Sequence, residues 1–113
     1  MIVRNVNDRE VLDTTYIAHG GAIAQMILDQ RVLKEIGFLA IANLESGKTI
    51  ESHRDPMEEI YFVLSGEGEM SVDEETRHVR HGDANCIPAG SPHILTNSSE
   101  DYLLILVVSS TNL

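Results

Sequence analysis

Tryptophan is absent from this sequence and only five residues are aromatic: Tyr16, Phe38, Tyr61, Phe62 and Tyr102. The core must therefore be mostly aliphatic, and few rings remain to stack on bases or sugars. The single cysteine, Cys86, excludes an internal disulfide and suits a reducing, cytoplasmic compartment. No apolar run exceeds the seven residues from Tyr102 to Val108, far short of the ~20 that a membrane helix needs. The first eight residues lack the apolar stretch and small-residue cleavage site of a secretory signal. Cations are scarce too: 8 Lys and Arg stand against 18 Asp and Glu, a net charge of −10 that disfavours nucleic acid and anionic membranes as partners.

What is present is a period-two pattern of apolar and polar residues in short runs, broken by Gly, Pro, Asn and Asp, and it predicts an all-β fold. At 113 residues the chain, 1–113, makes one domain large enough to bury a real core. Strands are expected at Ile2–Val6, Ala22–Leu28, Gly37–Leu44, Thr49–His53, Glu59–Leu64, Glu67–Val72, Thr76–Arg80, Ala84–Ile87, His93–Asn97 and Leu103–Val108. Turns thus recur about every ten residues, as sandwiches and barrels require. Asp8–Tyr16 has room for one helical turn. Ser65-Gly66 predicts a hairpin between the fifth and sixth of these strands, and Asp73-Glu74-Glu75 the next turn.

Two clusters carry the chemistry. The first is Gly47-x5-His53-x-Asp55-x3-Glu59-x6-Gly66, in which His53 and Asp55, two apart on a strand, share a face. Glu59 then enters the next strand on the side of Tyr61 and Val63. The second is Gly82-x5-Pro88-x-Gly90-x2-His93-x3-Asn97, which delivers a histidine to another strand. Imidazoles and carboxylates converging from adjacent strands supply the lone pairs a divalent transition metal needs.

These stretches resemble the paired motifs of the cupin superfamily, and the chain is similar to its small single-domain members of the cupin 2 conserved-barrel type. Agreement extends over nine fixed positions: Gly47, His53, Glu59 and Gly66 in the first motif, Gly82, Pro88, Gly90, His93 and Asn97 in the second. The resemblance implies a double-stranded β-helix, or jelly-roll barrel, around one mononuclear metal, and a homodimer. Asp55 stands where that family carries a second histidine. Carried over by position, the ligands are His53, Asp55, Glu59 and His93. Two carboxylates would leave a divalent ion's shell neutral, which favours Mn²⁺ or Fe²⁺, with Ni²⁺ and Zn²⁺ as further options. Were Asp55 only peripheral, the other three would form a two-histidine, one-carboxylate face with open positions.

His53-x-Asp55 with a distant histidine also resembles the 2-oxoglutarate-dependent iron oxygenases, which hold their co-substrate with a basic residue beyond the last histidine. Residues 94–113 contain no Lys or Arg, which argues against that reading. The expected function is that of an enzyme acting through the metal on a small oxygen-rich molecule, a carboxylate, enediol or sugar-like compound, as decarboxylase, isomerase, lyase or dioxygenase. A non-catalytic metal- or ligand-binding module is the alternative. No catalytic base is evident. His19 is read as a loop residue, with a place at the barrel mouth as the alternative; Tyr61 and Tyr102 are read as core residues that could instead bring a phenol to the metal. Cys86 is expected to be buried, Ile60, Phe62 and Leu64 to pack on the other sheet or a dimer partner, and His78 and His81 to lie on a solvated strand.

Overall fold

A computed structural model describes residues 1–111. One helical turn, α1 (Arg9–Leu12), precedes β1 (Tyr16–Ala18), β2 (Ala22–Leu28), β3 (Ile36–Leu44), β4 (Thr49–His53), β5 (Glu59–Ser65), β6 (Glu67–Val72), β7 (Glu75–Arg80), β8 (Ala84–Ile87), β9 (His93–Thr96) and β10 (Leu103–Ser110). Six strands form one sheet in the order β1-β2-β3-β10-β5-β8, and four form the other in the order β4-β9-β6-β7. Neighbours in both sheets are antiparallel. The expected all-β jelly-roll barrel, a double-stranded β-helix, is what the chain builds.

The alternation in sequence becomes alternation in burial. Along β5, Glu59, Tyr61 and Val63 face inward while Ile60, Phe62 and Leu64 face out, and β10 alternates in the same way. Leu44, Leu103, Ile105 and Leu95 are buried in the core between the sheets, and burying a side chain of this size is worth about 2 kcal/mol. The ladder pairs Leu103 with Leu44 and Ile105 with Ala42, so β3 and β10 close the core across the middle of the larger sheet.

Four expectations are corrected. Ile2–Val6 is not a strand: Asn5 and Asp8 close a local turn in which the Asp8 carboxylate accepts from Asn5 N–H at 2.8 Å and Asn5 Oδ1 from Asn7 N–H at 2.9 Å. Side-chain oxygens thus take the amides that a strand would have paired. The helical turn expected within Asp8–Tyr16 forms at α1, but the three-residue β1 that starts at Tyr16 was not expected. β5 and β6 are not a hairpin, because they belong to different sheets and Gly66 carries the chain across. A Cβ on Gly66, whose φ is +89°, would lie 2.3 Å from the carbonyl oxygen of Tyr102, so no side chain fits this corner. Cys86 is exposed, since β8 turns Asn85 and Ile87 inward.

Candidate metal centre

His53 ends β4, Glu59 begins β5 and His93 begins β9, so all three sit where strands enter the barrel. Asp55 lies in the connection after β4. That connection is latched to the turn before β9: Gly90 N–H donates to the Asp55 carbonyl at 2.7 Å, and the Arg54 guanidinium donates to the Gly90 carbonyl at 3.1 Å. Gly90 has a φ of +79°, and Pro88 restricts the chain just before it. The two motifs therefore fold against each other and bring Asp55 alongside His93.

One ligand atom from each of His53, Asp55, Glu59 and His93 lies within 4.8 Å of the other three. His53 Nε2 is 3.0 Å from Asp55 Oδ2, and His93 Nε2 is 3.7 Å from both Asp55 Oδ2 and Glu59 Oε1. Ligands about 2.1 Å from a common ion stand roughly 3.0 Å apart when cis and 4.2 Å apart when trans in an octahedron, and the separations of 3.0 and 3.7 Å fall in that range.

Hydrogen bonding fixes which nitrogens face inward. His53 Nδ1 donates to the Glu51 carbonyl at 2.8 Å and His93 Nδ1 to the Ser91 carbonyl at 3.0 Å. A carbonyl can only accept, so in the neutral rings each Nε2 carries a lone pair toward the cluster. This second-partner arrangement is the one that orients metal-binding histidines. Glu59 Oε1 and His93 Nε2 are buried without any hydrogen-bond partner. Two such orphans facing one gap, with a second acceptor pair, His53 Nε2 and Asp55 Oδ2, at 3.0 Å, are satisfied together by a cation. The residues present fit a divalent metal.

The electrostatics agree. Burial, the hydrogen bond with Asp55 and the Asp55 charge push the Glu59 carboxyl up to about 8. For Asp55, burial acts upward but is outweighed by the bond to Glu59 and the three surrounding histidines, and its carboxyl is lowered. Burial lowers His93, which favours the neutral ring that a metal needs.

A cavity of about 190 Å³ opens beside the cluster, lined among others by His53, Asp55, Glu59, Tyr61, His19 and Tyr16. Tyr61 is buried and meets His93 edge-on, with ring centroids 5.7 Å apart. His19, read from the sequence as a loop residue, stacks on His53 at 3.4 Å between centroids. It is held there by a cross-sheet bond from Glu51 N–H to its carbonyl at 2.9 Å, with its own backbone at a φ of +47°. Tyr102, read from the sequence as a core residue that could instead reach the metal, does neither: it is 60 % exposed and does not line this cavity. His78 is an exposed strand residue, as expected, bridging Glu69 and Glu67 at 2.8 and 3.4 Å.

The family model of the cupin domain, in its Cupin 2 form, matches residues 40–109. The chain belongs to the cupin family. It is 31 % identical over 98 residues to an uncharacterized protein of Streptomyces coelicolor, covering 87 % of this chain and 89 % of the other. An uncharacterized protein of Methanocaldococcus jannaschii is 35 % identical over 96 residues, covering 83 % and 77 %. Among solved structures, a predicted oxalate decarboxylase from Thermotoga maritima superposes with a TM-score of 0.84 at 22 % identity, over 96 % of this cupin and 98 % of that chain. At that identity the likeness speaks for the barrel alone.

Proposed function

We propose that this cupin is an enzyme that holds one divalent transition metal per chain through His53, Asp55, Glu59 and His93 and acts on a small oxygen-bearing molecule in the adjoining cavity. The observation that carries the reading is the pair of buried, unpartnered atoms, Glu59 Oε1 and His93 Nε2, beside a cavity that Glu59, Asp55 and His53 line. With two carboxylates among the ligands the shell of a divalent ion is neutral and hard, which favours manganese or iron over nickel and zinc. Such an ion would supply Lewis-acid stabilisation of an oxygen on which negative charge develops.

The chain's own groups then have defined tasks. Glu51 and Ser91 carbonyls keep the histidine rings oriented. Burial and the nearby Glu59 and Asp55 carboxylates raise the Tyr61 phenol, so it keeps its proton and serves as a hydrogen-bond donor. His19 covers His53 at the mouth and offers a polar contact to an entering ligand. Elemental analysis of protein purified without chelator tests the reading, with about one ion per chain expected. Less than a tenth, unrestored by Mn²⁺, Fe²⁺, Ni²⁺ or Zn²⁺, overturns it. Water-proton relaxation of the manganese form separates enzyme from structural site: rapidly exchanging water on the ion is expected, and its absence would argue for a closed, structural shell.

The outer face of the six-stranded sheet supports a homodimer in a reducing compartment. Ile41, Leu106 and Phe62 form one cross-strand row, and Leu39, Val108 and Ile60 the next, ending at the exposed thiol of Cys86. These rows carry no charge in a chain of net −10, so this is the face on which two copies meet with least repulsion. Light scattering should report a dimer, and Phe62→Glu a monomer that still binds metal; a monomeric parent protein would end this assignment.

A further inference from the structure

The wall beside the ligand cluster is built of alanine. Ala24 of β2 lies directly across the ladder from Ala42 of β3, and Met26 lies across from Ala40. Ala22, Ala24, Ala40 and Ala42 are each no more than 4 % exposed, yet all four line the cavity. The neighbouring strands of the same sheet carry Ile105, Val107, Tyr61 and Val63 at their inward positions. A sandwich filled by residues of that size throughout would be closed, because interiors pack to crystal-like density. The missing side-chain volume on β2 and β3 is the chamber.

Its chemistry limits what can occupy it. Apart from the ligand cluster, His19 and the two tyrosines, the lining is apolar, with Met26, Phe38, Ile50, Met57 and Val107 completing the alanine floor. Among the described residues no Lys or Arg lines it. A polyhydroxylated body would leave hydroxyls buried without partners on this floor. A second anionic group would find no counter-charge and would face Asp55 and Glu59. An apolar cavity of ~150 Å³ accommodates benzene, so about 190 Å³ admits an oxygen-bearing head and a compact body of roughly four to six carbons.

We infer that the ligand of this centre has a single chelating, oxygen-rich head and an uncharged apolar body seated on the Ala24–Ala42 floor, the alanines being its specificity determinants. The inference rests on the metal reading above and narrows its substrate class. Small dicarboxylates and sugar acids are excluded as good ligands; branched or cyclic oxo acids and their like are selected.

The test is calorimetric titration of the manganese-loaded protein with three 2-oxo acids that share one head: pyruvate, 4-methyl-2-oxopentanoate and 2-oxoglutarate. The branched acid should bind at least tenfold more tightly than pyruvate, and 2-oxoglutarate no more tightly than pyruvate. Ala42→Leu should remove the advantage of the branched acid and the smaller Ala24→Val should reduce it, both with unchanged manganese stoichiometry. Equal affinities for the three acids, a preference for 2-oxoglutarate, or retention of the preference in a folded, manganese-binding Ala42→Leu protein would overturn the inference. The wild-type series decides the matter even if a variant fails to fold. Failure to take up manganese, Fe²⁺, Ni²⁺ or Zn²⁺ at all is a separate result, which removes the metal reading itself.

Discussion

Glu59 Oε1 and His93 Nε2 face each other at 3.7 Å, too far for a hydrogen bond and with no other partner for either atom. Leaving two buried polar atoms unmatched costs the fold on the order of 1–3 kcal/mol each. Glu59→Gln keeps the shape of the side chain and removes its ability to ionise. Its expected effect is at least a hundredfold loss of metal affinity with the metal-free fold intact, read by competition with a chromophoric chelator and by circular dichroism. Affinity within threefold of the parent would remove Glu59 from the ligand set.

The proton on Glu59 predicts a pH dependence. In the metal-free native state this carboxyl holds its proton up to about 8, against 4.5 for the ordinary group. Between those values the native state carries the extra proton, so this group's contribution to stability falls as pH rises. His93 and His19, both lowered by burial first of all, act oppositely, but only below their ordinary value of 6.5. From 6.5 to about 8 Glu59 acts alongside exposed His78, which its bond to Glu69 raises and which Glu59→Gln leaves unchanged, so the difference between the two proteins isolates Glu59. In chelator, the urea midpoint of the parent should fall relative to that of Glu59→Gln across this window; parallel curves would show an unperturbed carboxyl. Metal uptake at pH 7 should release about one proton, measured calorimetrically in buffers of different ionisation enthalpy.

Asp55 offers an oxygen where related sequences are expected to offer a nitrogen, and its Oδ2 lies within 3.7 Å of both histidine Nε2 atoms. Asp55→His should raise affinity for nickel and zinc about tenfold or more relative to manganese, since imidazole suits the softer ions. Competition binding with the three metals measures the ratio. An unchanged ratio would place the side chain outside the shell.

Asn97, fully buried, joins the two sheets: its amide nitrogen donates to the Leu44 carbonyl at 3.0 Å and the Asp101 carbonyl at 2.7 Å, while its oxygen accepts from Ser99 N–H at 3.0 Å. Asn97→Ala strands these groups, and a loss of about 2–4 kcal/mol in urea unfolding is expected. A loss under ~1 kcal/mol would mean that water replaces the amide.

Much of this was legible in the chain itself, for physical reasons. Thr49–His53, Glu67–Val72 and Ala84–Ile87 have the bounds the alternation predicts, because one face of each is buried and the other wet. The four clustered residues were legible through the motif resemblance; the expectation that His53 and Asp55 share a strand face did not hold, because β4 ends at His53 and Asp55 lies in the connection after it. The glycine at 66 announces a turn, but nothing local says whether the chain returns along its own sheet or crosses to the other. His19 was opaque for a similar reason. What brings it to His53 is a bond between two backbone groups, Glu51 N–H and the His19 carbonyl, which leaves no mark on side-chain composition. At Ile2–Val6 the apolar residues were read and the competing Asn5–Asp8 turn was not.

The latch between the Asp55 carbonyl and Gly90 N–H spans 35 positions of chain, and β5, β6, β7 and β8 must all be laid down within that interval. Closing such a loop is entropically slow and comes after local pairing such as that of β6 with β7. The four ligands thus converge only when the barrel is nearly complete. A metal ion meets a finished receptacle and cannot template it. Added metal should therefore slow the opening of the barrel while leaving its rate of assembly unchanged.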